Sequence, residues 1–494
     1  PFMCTAFGDV FAYVKNPKLD NYIVYLNVRY NSKTPLEIAC ENGNYEIVQL
    51  LLRQNGIQVN ATNANEVPPL LLASKNWNPK IIKLLLSEVN DVNVDALDYN
   101  GKTVLHYVCE KNEVELCEKI LSISSQSINK RSNDLNTPIQ LAINRRNLEI
   151  VKILMKYISS DQINFKFNDD NTLLSTACLN NDVETVKYLL EKEEIEVNEP
   201  NKSGSTPLFI VATNGNQPIC RLLLSNKNID IEKTTNQKTP LYQACRCGNT
   251  RIAELLVEKG ATVNCLTKSG KTPLHAACQY GYYKIVSILL NVPNIEVNLL
   301  TSTTGQTFKT FKSPLHYACM GKARNQAKKS TRGDFSSQKA CVEFLIHHPQ
   351  IDINLQTSNN ETALQIAMDD NNFEIMKVLL QHPQIDPNVT ISQNKTSLHL
   401  ACENSQKDII QMLLSNPATN VNCIDTNGQT PISIAVDHSR IDIINLLMNR
   451  PDLKVSLRSQ RNPIKSAIDK SNQEIFSLLI HHPSFDINQI DKRS

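Results

Sequence analysis

Residues 272–278 read TPLHAAC. The hydroxyl of Thr272 can accept one of the backbone N–H groups left over at a helix start. Pro273 at the first helical position lacks an N–H that would go unused there. Small Ala277 lets a second helix approach closely. Similar strings begin at Thr34 (TPLEIAC), Pro68 (PPLLLAS), Thr103 (TVLHYVC), Thr137 (TPIQLAI), Thr172 (TLLSTAC), Thr206 (TPLFIVA) and Thr239 (TPLYQAC). They continue at Ser313 (SPLHYAC), Thr362 (TALQIAM), Thr396 (TSLHLAC), Thr430 (TPISIAV) and Asn462 (NPIKSAI), thirteen in all. Most spacings are 32–35 residues, and two near Ser313 are longer, 41 and 49. A length of 494 residues alone suggests about three ordinary domains. A fixed period this short replaces that expectation with one long array.

The rest of each period reads just as regularly. Gly43, Gly215, Gly248 and Gly281, or Asn112, Asn181 and Asn371, close the first helix, because both residue types tolerate a left-handed backbone. A second helix follows, as in EIVQLLL (46–52), EIVKILM (149–155), KIVSILL (284–290), EIMKVLL (374–380) and DIIQMLL (408–414), with its apolar residues on one face. Then comes an asparagine after Val or Ile: Asn60, Asn93, Asn129, Asn164, Asn198, Asn264, Asn298, Asn354, Asn388, Asn422 and Asn488. About eight polar, turn-rich residues lead to the next cap, with Gly101, Gly204, Gly270 and Gly428 at one equivalent spot.

Helix, turn, helix and hairpin in 33–35 residues, opened by T-P-L-H-x-A, resembles the ankyrin repeat family. The resemblance implies an all-α solenoid of helix-turn-helix units joined by hairpin loops, wound into a curved superhelix. We expect a degenerate half-repeat or cap at 1–30, the array over 31–490 with insertions at 299–312 and 321–339, and a tail at 491–494. No single unit buries enough to stand alone, so stability is expected to reside in the interfaces between neighbours. The resemblance implies a protein–protein interaction scaffold or adaptor, monomeric, binding partner proteins through its concave face and hairpin tips and having no catalytic activity. The alternative is a regulatory or targeting segment of a larger multidomain enzyme or ion channel. The start at Pro1 and the regular last helix EIFSLLI (474–480) favour that alternative, because a terminal repeat should show a polar outer face.

Composition excludes other classes. Fifty-one basic against 49 acidic side chains leave +2, too little for global attraction to nucleic acid or anionic lipid. No apolar run approaches the ~18 residues of a membrane span. Of the fourteen cysteines, Cys40, Cys109, Cys178, Cys245, Cys278, Cys319 and Cys402 fill one slot six residues after the cap, which reads as buried filler in a reducing, cytoplasmic (or nuclear) setting. His106, His275, His316 and His399 fill the H of the repeat, where the resemblance implies a local structural hydrogen bond. His347, His348, His382, His481 and His482 follow second helices, where a donor suits the free carbonyls. Cys245-Arg-Cys247 lacks a second pair at zinc spacing. No phosphate-binding loop or nucleophile elbow occurs. No cofactor, metal ligand or catalytic residue is expected.

Violations of the period mark candidate contacts. The resemblance implies that the residues seven and eight after each cap, at the end of the first helix, face partners. Trp77, Arg145, Arg246, Tyr280 and Met320 give the early and middle repeats a basic and aromatic character. Asp369, Asp370, Glu403 and Asp437 make the later ones acidic. Arg, Tyr and Trp are favoured anchors, and Trp77 stands where a turn residue is usual. The insertion inside the ninth unit has Lys322, Arg324, Lys328, Lys329, Arg332 and Lys339 against a lone Asp334, which reads as a solvated loop, a basic flap for an acidic or phosphorylated partner, or a nuclear localisation patch.

Overall fold

The computed structural model describes residues 26–27, 29, 32–63, 66–302, 311–320, 335–455 and 462–485. The expected cap at 1–30 lies almost entirely outside them, as do Asn488, the tail, and Lys322, Arg324, Lys328, Lys329 and Arg332. Among the described residues there are twenty-six α-helices and no strand, and Thr235 and Lys238 form an isolated bridge.

The chain forms two compact units, 1–230 and 231–494. The first holds repeats one to six, whose first helices are Pro35–Asn42, Pro69–Lys75, Val104–Lys111, Pro138–Asn144, Leu173–Leu179 and Pro207–Asn214. The second holds repeats seven to thirteen, with first helices Pro240–Cys247, Pro273–Gln279, Pro314–Cys319, Ala363–Asp369, Ser397–Glu403, Pro431–Asp437 and Pro463–Asp469. Each first helix packs on its own second helix and, within a unit, most pack on the first helices beside them. Repeat eight shows why. Its helix buries Pro273, Leu274, His275, Ala276, Ala277 and Cys278 in succession, and its second helix, Tyr283–Leu290, adds Ile285, Val286 and Leu289. A short helix apolar on nearly every side has no solvent face to spare, so neighbours must cover it.

The caps behave as the sequence requires. The Thr272 hydroxyl accepts the His275 N–H at 3.3 Å, and His275 Nδ1 accepts the Thr272 N–H at 3.1 Å. Since Nδ1 accepts, Nε2 holds the proton, and it lies 3.1 Å from the Lys312 carbonyl of the next hairpin. His106 and His399 repeat this bridge to Lys130 and Gln429. In repeats four and ten Gln140 and Gln365 replace the histidine and accept the cap N–H at 3.0 and 2.7 Å. Burial pushes His106, His275 and His316 down to about 4, so they are neutral at physiological pH.

The turn nine residues after the cap is left-handed in all twelve repeats where it is described. Gly248 (φ 78°) is one of these, and the Tyr282 ring sits so close that a Cβ there would lie 2.7 Å from it. Trp77, Arg146, Ser405, Ser439 and Ser471 adopt the same conformation, at φ 51–55° apart from Ser405 at 56°.

An asparagine ladder stitches successive hairpins. The Asn354 amide donates to the Gln384 carbonyl at 2.8 Å and its oxygen accepts the Asp386 N–H at 2.9 Å. Asn60, Asn164, Asn198, Asn264, Asn298, Asn388 and Asn422 form the same two-bond rung. Asn93 is not a rung, because its oxygen turns back to the Asp95 N–H. Asp95, eight residues before its cap, holds the slot. A carboxylate has no N–H to give, so Asp95 only accepts, from the Ser127 hydroxyl. Asn129 meets the Gln162 side chain instead of backbone.

Candidate interaction surface

At the end of each first helix the side chain seven residues after the cap turns outward. A second residue reaches the same spot, the one just before the cap, at the base of the hairpin. In repeat one Lys33 meets Glu41 at 2.5 Å, in repeat three Lys102 meets Glu110 at 3.0 Å, and in repeat eleven Lys395 meets Glu403 at 2.8 Å. In repeat twelve the Gln429 amide donates to Asp437 at 2.9 Å. Each pair closes the hairpin onto its own helix.

Repeats eight and nine keep the lysine and lose the carboxylate. Lys271 Nζ donates to the Gln279 side-chain amide oxygen, Oε1, at 2.7 Å and sits 4.6 Å from the centre of the Tyr317 ring. Lys312 Nζ points at the Met320 sulfur, 3.4 Å away. In repeat seven the two positions are Lys238 and Arg246. No ion pair is formed by Lys238, Arg246, Lys271 or Lys312 among the described residues. Burial, with the Arg246 charge adding to it, holds the Lys271 ammonium below the usual lysine range. Tyr242 is buried under this row, while Tyr280 is half-exposed and stacks on Tyr282 with ring centres 6.0 Å apart. Repeat ten inverts the sign. Glu361 precedes the cap and Asp369 and Asp370 end the helix. Partial desolvation raises the Asp369 carboxyl, and Glu361 and Asp370 raise it further.

The described residues singled out from sequence therefore fall into four groups. Arg246, Tyr280 and Met320 lie on consecutive repeats of the 231–494 unit, joined by Lys238, Lys271, Lys312 and Tyr317, which the sequence reading missed. The signal was there: a lysine directly before the cap. Asp369 and Asp370 form the acidic counterpart. Glu403 and Asp437 are tied internally. Asp437 also accepts from the Ser466 hydroxyl, and its carbonyl accepts from Lys470. In the 1–230 unit Arg145 lies 3.4 Å from Glu110, and the Lys111 ammonium lies 5.8 Å from the centre of the half-exposed Trp77 ring. No group of three or more His, Cys, Asp or Glu converges as a metal site among the described residues. No helix there is long and apolar enough to cross a membrane.

Sequence models of ankyrin repeats match nearly the whole length. "Ankyrin repeats (3 copies)" matches 70–166, 158–235, 226–301, 335–425 and 416–491, and "Ankyrin repeats (many copies)" matches 36–86. The tyrosine-protein kinase HTK16 of Hydra vulgaris is 30% identical over 133 residues, 26% of this chain. The match spans 17% of that kinase. With capped helix pairs at the right period and family matches from residue 36 to 491, the chain belongs to the ankyrin-repeat family, whose repeats form protein-interaction modules.

Proposed function

We propose that this chain is a scaffold or adaptor that holds partner proteins against the ends of its first helices and the adjoining hairpins. One observation carries the reading. The slot seven residues after the cap holds Glu, Lys, Asn, Leu, Thr, Arg, Gln, Met or Asp in different repeats, while the buried slots beneath it stay Leu or Ile, Ala and Cys in most repeats. A surface varied over an unvarying support is free to encode recognition. The reading includes monomeric behaviour and a cytoplasmic or nuclear setting, supported by the thirteen described cysteines, all free. It includes the boundaries 1–30, 31–490 and 491–494. Asn27 supports a unit ahead of the first repeat, because it forms a rung with the Gly56 carbonyl and the Gln58 N–H, both at 2.9 Å.

A second reading makes this array the targeting segment of a larger signalling enzyme. The similarity to a tyrosine-protein kinase favours it. Both readings assign the array itself no chemistry.

The test is a photo-crosslinking amino acid placed at Arg246, or at Lys377 on a second helix, in the full chain exposed to cell extract. Partners should crosslink from Arg246 and not from Lys377. Crosslinks from Lys377 alone overturn the assignment of the surface.

A further inference from the structure

Repeats seven to nine present a row of cations that no carboxylate answers among the described residues. Arg246 is exposed, and Lys238, Lys271 and Lys312 are half-exposed. At the same slots of repeats one, three and eleven a glutamate neutralises the lysine. Lone Gln279 and Met320 therefore mark a change in one specific pairing. Between the cations lie Tyr280, Tyr317 and the Met320 side chain, half-exposed, which offer apolar contact beside each charge.

We propose that this row binds an extended acidic peptide segment of a partner protein, with one carboxylate per repeat. This rests on the scaffold reading above and names the chemistry of its partner. Packed helices stand about 10 Å apart, and an extended chain advances about 3.3 Å per residue. The segment therefore places an acidic residue at every third position, with an apolar residue between for the tyrosines. The array ends the register itself, because Glu361 and Asp369 in repeat ten repel a further carboxylate. A nucleic acid fits less well: its charges come at every nucleotide without neutral intervals, and the acidic repeats that follow repel it.

The test uses the full chain and a fluorescein-labelled peptide repeating Glu-Leu-Ser over about twelve residues, followed by anisotropy at about 50 mM salt. Two controls are the Lys-Leu-Ser peptide and one of identical composition with its glutamates in a block. Saturable binding of the spaced acidic peptide, at least about tenfold tighter than either control, is the expected result. The decisive variant is Gln279→Glu with Met320→Glu. It supplies the missing carboxylates, copies pairs that repeats one, three and eleven already tolerate, and should weaken the peptide about tenfold with circular dichroism unchanged. If that variant fails to fold, Arg246→Ser with Lys312→Gln gives the same reading. Equal binding to variant and native chain overturns the proposal, as does equal binding of the blocked peptide. Tighter binding of an oligothymidylate, lost in the same variant, overturns it in favour of nucleic acid. Should partners still crosslink at Arg246 while every peptide fails, the scaffold reading stands and this inference falls.

Discussion

Lys102 in repeat three and Lys271 in repeat eight hold the same place, one residue before the cap. Lys102 meets Glu110, and Lys271 meets Gln279. Beneath them the two repeats are alike: both bury the histidine of the cap, both bury a leucine just before it, and both bury a cysteine at the sixth position. The exposed slot thus changes from Glu110 to Gln279 over the same buried leucine, histidine and cysteine. A repeat can lose its ion pair and keep its fold, so the exposed slot is where such arrays can differ without unfolding.

The largest expected effect tests the common support. Leu105→Ala and Leu274→Ala each remove a fully buried side chain and should each destabilise by about 2–5 kcal/mol, followed by urea titration with local hydrogen exchange. A large difference between the two would break the claim that the repeats share one scaffold.

The next tests their histidines. His106 and His275 titrate near 4 when folded and near 6.5 when unfolded. Between those values the unfolded chain binds more protons, so the stability they allow is complete above pH 6.5 and is lost as pH falls towards 4. At pH 5 each should cost about 2 kcal/mol. His275→Gln, the choice made in repeats four and ten, should match native stability at pH 7 and flatten the acid limb of the profile.

A smaller effect comes from the turn. Arg146 is exposed in a left-handed conformation (φ 55°), so Arg146→Gly should stabilise by up to about 1 kcal/mol in thermal melts. The smallest comes from the pair that opened the comparison. Glu110→Gln in repeat three should cost well under 1 kcal/mol, because a partly exposed ion pair contributes little. A loss of several kcal/mol would make the pair a structural element and undo the distinction drawn from it.

The fold was legible because its signals recur. One TPLHAAC is a weak hint, and thirteen versions at a near-fixed period leave no rival. The turn was legible only where Gly or Asn fills it. Trp77, Arg146 and three serines adopt the same backbone, because the conformational penalty of one residue is smaller than what its neighbours gain by stacking. Asn93 shares the motif without the bond. The letters VN matched, but position relative to the cap decides the rung, and that belongs to Asp95. The surface was half legible. Counting seven and eight residues from the cap found Arg246, Tyr280 and Met320. It did not tell Glu403, already bound to Lys395, from Arg246, because it passed over the residue just before the cap, which the folded hairpin brings against the helix end.

The asparagine rungs have a mechanical consequence. Each joins a hairpin to the next one along and to nothing else, so a pull on one end loads them in series, like teeth of a zip. Tension would then open the array tooth by tooth, and places lacking a full rung, such as Asp95, Asn129 and Glu232, would give way at the lowest force.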